Sequence, residues 1–543
     1  MTITKRGVAH LFSALLVCTL LANWADGEPS DKSSTLEMRA VSKVAHCTAG
    51  DHPEPALQGQ IPAAIRANGF EGFNCNLALV SQYAGTGGGV AYASFQDDHD
   101  HFCAYYSTGV GGVGATNVID VTDPTKAVLT TTLKSTAMVN PWESLRVNAR
   151  RQLLVAVSPP ANGAKFAGAN TDAGTRNDTA GTVDVYDLSA DCRNPKLLAS
   201  VRVGTGNDGG ILAPKAIQGH DSNFSPDGLT LYSGDPVGKT YSAIDLTDPT
   251  KPKMIAQVDV SQWPLNGKIF NGGAHGMSIT NDGNRGYFVS VGMPMAKDLQ
   301  DPNAKQSEGF YVVDTSEIQA RKPNAQFKLI SWLTFKHGST AQHTLSIKIA
   351  GKPYVVFVDE AGSGGFPGLG GGTPQDACNA GLSPFPLARI VDISDETKPK
   401  LVSYLALETH DPSNCGKILP DLVGEGGFTY GSHICSVDNR DNATALACGY
   451  AQSGIRVFDI RKPAAPKEIA YFNPAPNAET TAVVLPGSLP SKVNSCAAPA
   501  GFDFKRKLLT TMCVRSGTIV LKFENGVWPM RESTPAPRGV SYN

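Results

Sequence analysis

Four histidines occupy one recurring position in this chain. His220, His275, His343 and His433 each stand seven residues ahead of a turn position (Asp227, Asp282, Ala350 and Arg440) between two strand-like stretches. Only 11 of the 543 residues are histidine, so four in consecutive repeats are not indifferent placement. Neutral imidazole ligates copper, iron, zinc and nickel. Imidazoles without thiolate or carboxylate favour a centre with open positions over a closed structural zinc, and the chain has no CxxC pair to supply thiolates. A transition metal held by these four residues is therefore the expected cofactor, with copper or iron favoured and zinc the alternative. Two other roles fit the same residues. A repeat can carry histidine for structure, as the Gly-His dipeptide of WD-type propellers does, and a polar pocket can use imidazole for acid–base work.

The preceding repeat carries Trp142 and Glu143 at the same position, as pocket wall and proton acceptor. Asp221 directly follows His220, and Asp235, Asp359 and Glu360 end the second strand of their repeats on the same face. Carboxylates there orient imidazole N–H groups or cap turns. His410, Asp411 and Glu425 fall in a loop and read as solvated. "DDHDH" (97–101) reads as a solvated turn on the opposite face.

What must position these residues is a repeat. "NVIDVTDPTKAVLTTTL" (117–133), "SAIDLTDPTKPKMIAQV" (242–258), "RIVDISDETKPKLVSYL" (389–405) and "RVFDIRKPAAPKEIAYF" (456–472) share a strand ending in Asp, a polar turn usually carrying Pro, and a second strand. Segments 183–201 and 311–333 follow the pattern with longer turns. A hairpin precedes each, which makes four strands per unit. Repeated four-stranded units predict an all-β, seven-bladed β-propeller. The last unit lacks a fourth strand, and "CNLALVSQYAG" (75–85) has no partners before it. This N-terminal strand is expected to complete the C-terminal blade and close the ring. The first strand of a blade lines the channel, so the histidines would gather at one channel mouth.

The repeats, most clearly 389–405 and 454–472, resemble those of the LVIVD-repeat family of exported β-propeller proteins, over about residues 70–525. The resemblance implies the propeller fold and little about activity, since the family is defined by its architecture.

The long connections all leave the histidine face, where function tends to reside. Cys378 and Cys415 lie in two of them, and a disulfide between them would pin a lid over the channel. Residues 1–27 read as a signal peptide, with Lys5 and Arg6 before an apolar run and small residues at Ala25–Gly27. Residues 28–70 form an N-terminal extension, 71–525 the propeller and 526–543 a tail. Removing Cys18 with the leader leaves ten cysteines, a number that suits disulfides in an oxidising compartment. A net charge of −2 argues against nucleic acid as a partner, and no later run is long enough for a membrane span. Two functions follow: a metal-dependent exported oxidoreductase acting on a small molecule, or a binding propeller that grips a protein or glycan over a structural histidine ring.

Overall fold

The Asp that ends the third strand of each repeat has a local task. In all six repeats its carboxylate accepts a hydrogen bond from the backbone N–H two residues on: Asp120 from Thr122, Asp187 from Ser189, Asp245 from Thr247, Asp314 from Ser316, Asp392 from Ser394 and Asp459 from Arg461, at 2.8–3.0 Å. This side-chain turn ends the strand and reverses the chain with no help from distant residues. The hairpins that result are the unit of the fold.

The computed structural model describes residues 42–85, 90–108, 114–158, 179–215, 217, 219–265, 273–292, 299, 301, 308–366, 371–425, 428–477, 492–514 and 516–530. The expected signal peptide, the first third of the extension and most of the tail lie outside them. The described residues form seven antiparallel sheets, each with four strands of one blade, arranged as a β-propeller. The innermost strands are Tyr92–Gln96, Arg146–Asn148, Asp221–Phe224, Met277–Ile279, Ser339–Ile349, Cys435–Val437 and Gly501–Asp503, in blades 1 to 7. The apolar core is distributed between blades. Phe310 and Val312 of blade 4 pack with Val355 and Phe357 of blade 5, and Leu345 and Val356 of blade 5 pack with Leu446 and Phe458 of blade 6.

The strand Leu77–Tyr83 pairs antiparallel with Gly517–Phe523, from Leu77 opposite Phe523 to Tyr83 opposite Thr518. The seventh blade is thus built from both ends of the propeller sequence. Just before it, Phe73–Cys75 pairs with Lys467–Asn473 as a fifth strand on blade 6. The segment leading there is fastened by the Cys47–Cys75 disulfide and by Glu54, which pairs with the buried Arg456. Four further disulfides join Cys103 to Cys192, Cys378 to Cys415, Cys435 to Cys448 and Cys496 to Cys513. Among the described residues no helix is long and apolar enough to cross a membrane.

Gly517 sits where the two chain ends meet. Its φ is +69°, and a Cβ there would lie 1.8 Å from the Tyr83 carbonyl oxygen. Gly351 has a similar φ of +80° but nothing within 4 Å of the same added atom. Gly351→Ala should cost only the backbone strain, about 1 kcal/mol. Gly517→Ala should also force Leu77–Tyr83 off its partner and cost about 2–4 kcal/mol. Chemical denaturation of both variants beside the parent measures the difference.

Candidate metal centre

The centre is organised around a carboxylate. Trp142 and Glu143 lie in the connection into blade 2, where Trp142 takes a left-handed φ of +48°. Glu143 N–H donates to the His220 carbonyl of blade 3 at 3.1 Å. Arg146 braces the turn from behind. Its guanidinium donates to the Glu143 and Leu145 carbonyls at 2.8 and 2.9 Å and to Asp221 at 2.6 Å. The Glu143 side chain is thereby held in one buried position.

Three histidines face it. His220 Nε2 and His275 Nε2 stand 3.4 and 3.3 Å from Glu143 Oε2, and His433 Nε2 stands 3.4 Å from Oε1. Glu360 Oε1 is 3.7 Å from His433 Nε2. Glu143, His275 and His433 side chains are each 2 % exposed, whereas His220 and Glu360 are 17 % and 16 % exposed, so the centre is open on the side of those two.

Each ring is oriented by its neighbours. His275 Nδ1 lies 2.7 Å from the Gln342 carbonyl oxygen, and His433 Nδ1 lies 2.9 Å from that of Ala497. A carbonyl only accepts, so both Nδ1 atoms carry protons and both Nε2 atoms turn toward Glu143. The blades approach closely enough because Gly276 has no side chain. A Cβ there would meet the Gln342 carbonyl oxygen at 2.4 Å and Asp221 Oδ2 at 2.6 Å. Trp142 Nε1–H donates to His220 Nε2 at 2.8 Å, which engages the lone pair of that ring.

Burial alone would push the Glu143 carboxyl up, but the facing imidazoles outweigh it, with His275 donating from Nε2, and hold Glu143 well below the usual carboxylate range. The same pairing acts on His275. Burial opposes its protonation, yet the Glu143 carboxylate raises it to about 9. The pocket is built to hold positive charge beside a buried anion.

His343, expected as the fourth ligand, does not join this group. Its strand is irregular between Ala341 and His343, and Thr340 has φ +57°. The bulge directs Gln342, rather than His343, to the centre. Gln342 Nε2 lies 3.1 Å from both Glu143 Oε2 and His433 Nε2, and its Oε1 is buried with no hydrogen-bond partner. His343 Nε2 instead accepts from Cys435 N–H at 3.3 Å. Burial, followed by the charge of Arg146, lowers its pKa to about 3. It stays a neutral packing histidine between blades 5 and 6. The expected four-histidine ring is, in this structure, three histidines around one carboxylate.

No family model and no curated protein matches this sequence. The likeness to LVIVD-repeat proteins therefore rests on the repeats alone. Among solved structures, the chain is similar to Sqt1 of Chaetomium thermophilum at 11% identity, covering 82% of this chain and 98% of that one, with a TM-score of 0.44. The periplasmic gluconolactonase PpgL of Pseudomonas aeruginosa gives 12% identity, 82% and 99% coverage and a TM-score of 0.44. The Cps50 (Swd1) propeller domain of Myceliophteria thermophila gives 9%, 83%, 100% and 0.44.

The remaining expected residues divide between the centre and its surroundings. Glu360 belongs to the centre. Asp221 stands behind it, paired with Arg146. Asp359 points away: it binds Arg389 at 2.8 Å and accepts from Leu387 N–H. Asp235 caps the turn after its strand by accepting from Val237 and Gly238 N–H at 2.9 and 2.8 Å. Cys378 and Cys415 are bonded and join two short helices, Pro374–Asn379 and Cys415–Ile418. Nearby, Phe428 packs edge-on to the His433 ring at 5.7 Å. His410 is buried, with Nε2 2.9 Å from the Pro386 carbonyl oxygen, and Glu425 pairs with Arg66, so neither is the solvated loop residue expected. The "DDHDH" turn likewise has a structural role: Asp97 accepts from the N–H groups of His99, His101 and Cys192, and binds the His101 ring at 2.9 Å. Gln342 and Arg146 were not among the expected residues.

Asp235 offers a pH test away from the centre. Burial raises its pKa to about 7, and Oδ2 has no partner. A group raised on folding stabilises fully below its unfolded pKa, about 4, and loses that contribution as pH rises through its folded value. Asp235→Asn keeps an acceptor for both N–H groups and carries no charge. Thermal melts should show parent and variant alike near pH 4. The variant should become the more stable by pH 8, with the gap opening between.

Proposed function

We propose that the protein is an exported, metal-dependent oxidoreductase acting on a small molecule at the mouth of its channel. The observation that carries this reading is the spacing of the donors. Atoms bonded to one ion at about 2.0–2.2 Å stand about 3.0–3.4 Å apart in octahedral or tetrahedral arrangements. His220 Nε2 and His275 Nε2 lie 3.4 and 3.3 Å from Glu143 Oε2, longer than an ordinary charged N–H···O contact of about 2.7–2.9 Å. The donor set of two imidazoles and a carboxylate leaves positions open, which suits copper or iron, with zinc the non-redox alternative. The orphaned Gln342 Oε1 and the locked tautomers of His275 and His433 support the same fit. The leader-like N-terminus and five disulfides support export.

When bound, such an ion supplies a one-electron acceptor or a site for oxygen. The chain's own residues do the rest. His275 and Glu143 would hold the ion from the buried side and His220 from the open side. Trp142 walls the open side and must turn its indole away from His220 Nε2 before that ring can ligate. With one ion bound, Glu360, at the rim, would be free to take a proton from a substrate entering there. Phe428, packed edge-on to the His433 ring, shields that side from bulk water.

Elemental analysis of protein exported and purified without chelator should find copper or iron near stoichiometry, and His275→Ala should lose at least tenfold of it while remaining folded. A parent that carries no metal, cannot be loaded and is merely destabilised by His275→Ala overturns the metal reading in favour of a binding propeller. Trp142→Phe removes a competing hydrogen bond worth about 1 kcal/mol. It should therefore raise metal affinity about fivefold, measurable by competition with a chromogenic chelator.

A further inference from the structure

We propose that the centre holds two divalent ions bridged by Glu143, a proposal that rests on the metal reading above. One ion bonded at about 2.1 Å keeps all its donors within about 4.2 Å of one another. The donors here do not form one such group. Those within 4.8 Å of one another fall into two sets, Glu143 with His220 and His275, and Glu143 with Glu360 and His433. The two sets share only Glu143, and they use different oxygens of it: Oε2 faces His220 and His275, while Oε1 faces His433. That is the arrangement of a bridging carboxylate, and paired ions held by carboxylate and imidazole recur in hydrolytic and redox sites.

The two positions differ in chemistry. The first has two imidazoles and one carboxylate oxygen. The second has one imidazole and two carboxylates, a harder set suited to iron, manganese or zinc over copper. Gln342 stands between them. Its Nε2 is 3.1 Å from both Glu143 Oε2 and His433 Nε2, so in this orientation the amide fills the gap with N–H groups. Its Oε1 is the buried atom without a partner. Turning the amide over would present that oxygen to the second ion. Glu143 and Glu360 bring two negative charges, half of what two divalent ions carry, and anionic ligands such as hydroxide at the open positions would supply the rest; behind them the Asp221 and Arg146 charges offset each other. Among the ring nitrogens that face Glu143, none needs to keep a proton once ions are present.

The test is stoichiometry with a magnetic readout. Chelator-stripped full-length protein is dialysed against Zn(II) or Mn(II) alone, and bound ions are counted by plasma mass spectrometry. The parent should hold two ions per chain. Glu360→Gln, whose side chain is partly exposed and whose loss should not unfold the blade, should hold one, as should His433→Gln. The Mn(II) resonance of the parent should be broadened by coupling between the ions. In both variants it should revert to the signal of an isolated ion. One ion per chain in the parent, lost in His275→Gln but kept in Glu360→Gln, overturns the second ion and leaves the first intact. No bound ion overturns both readings. Two ions that persist in both Glu360→Gln and His433→Gln place the second ion elsewhere and overturn the proposal.

Discussion

The candidate centre is organised by the burial of one carboxylate. A charged Glu143 taken out of water costs several kcal/mol unless positive charge and hydrogen bonds meet it. The chain meets it with imidazoles from blades 3, 4 and 6 and an amide from blade 5. The requirement reaches into the backbone. Trp142 adopts a left-handed φ to place its neighbour, Arg146 ties the turn to Asp221, and Gly276 lets two blades close to backbone contact. Each of these features is an expense without the central anion and is explained with it.

The scaffold can meet that demand because its blades are nearly identical in construction. The same carboxylate-to-backbone turn ends the third strand in six of them. An irregularity recurs in the pairing of the third and fourth strands in all seven. A repeated build puts equivalent residues at equal height around one axis. The departure in blade 5 carries the most chemical information. An irregular inner strand turns the histidine of that blade into the core and brings an amide forward, so one ring position differs in kind from the others.

This division explains what was legible in the sequence. Strands and turns were legible because their chemistry is local, Asp and Pro acting within two or three residues of themselves. The blade number and the pairing of 77–83 with the last blade followed from counting strands. His220, His275 and His433 were legible because register alone places them. His343 was misplaced because a bulge is invisible to register counting, and Gln342 was missed for the same reason: nothing in "STAQHT" says which neighbour faces the axis. Glu143 was seen as a proton acceptor beside the site, and its central place needed the left-handed turn at Trp142. Asp359 and Asp235 went to partners that depend on the assembled sheet, an arginine on the next strand and the N–H groups of a tight turn. The Cys378–Cys415 pairing was suggested by loop placement; the other four were not, and even Cys435 and Cys448, opposite each other across one hairpin, needed the strand register to be known.

The strand Leu77–Tyr83 has a consequence for how the molecule comes into being. It is made early in synthesis, yet its partner Gly517–Phe523 is made more than four hundred residues later. Until then the nascent chain carries an exposed β-edge at each end of an unfinished circle. The imidazoles around Glu143 come from three further blades and have no common centre until those blades are in place. The full set of contacts around Glu143 therefore forms only once blades 2 to 6 stand together. A chain stopped short of its last blade is left with sticky edges, a substrate for proteolysis rather than a smaller working protein.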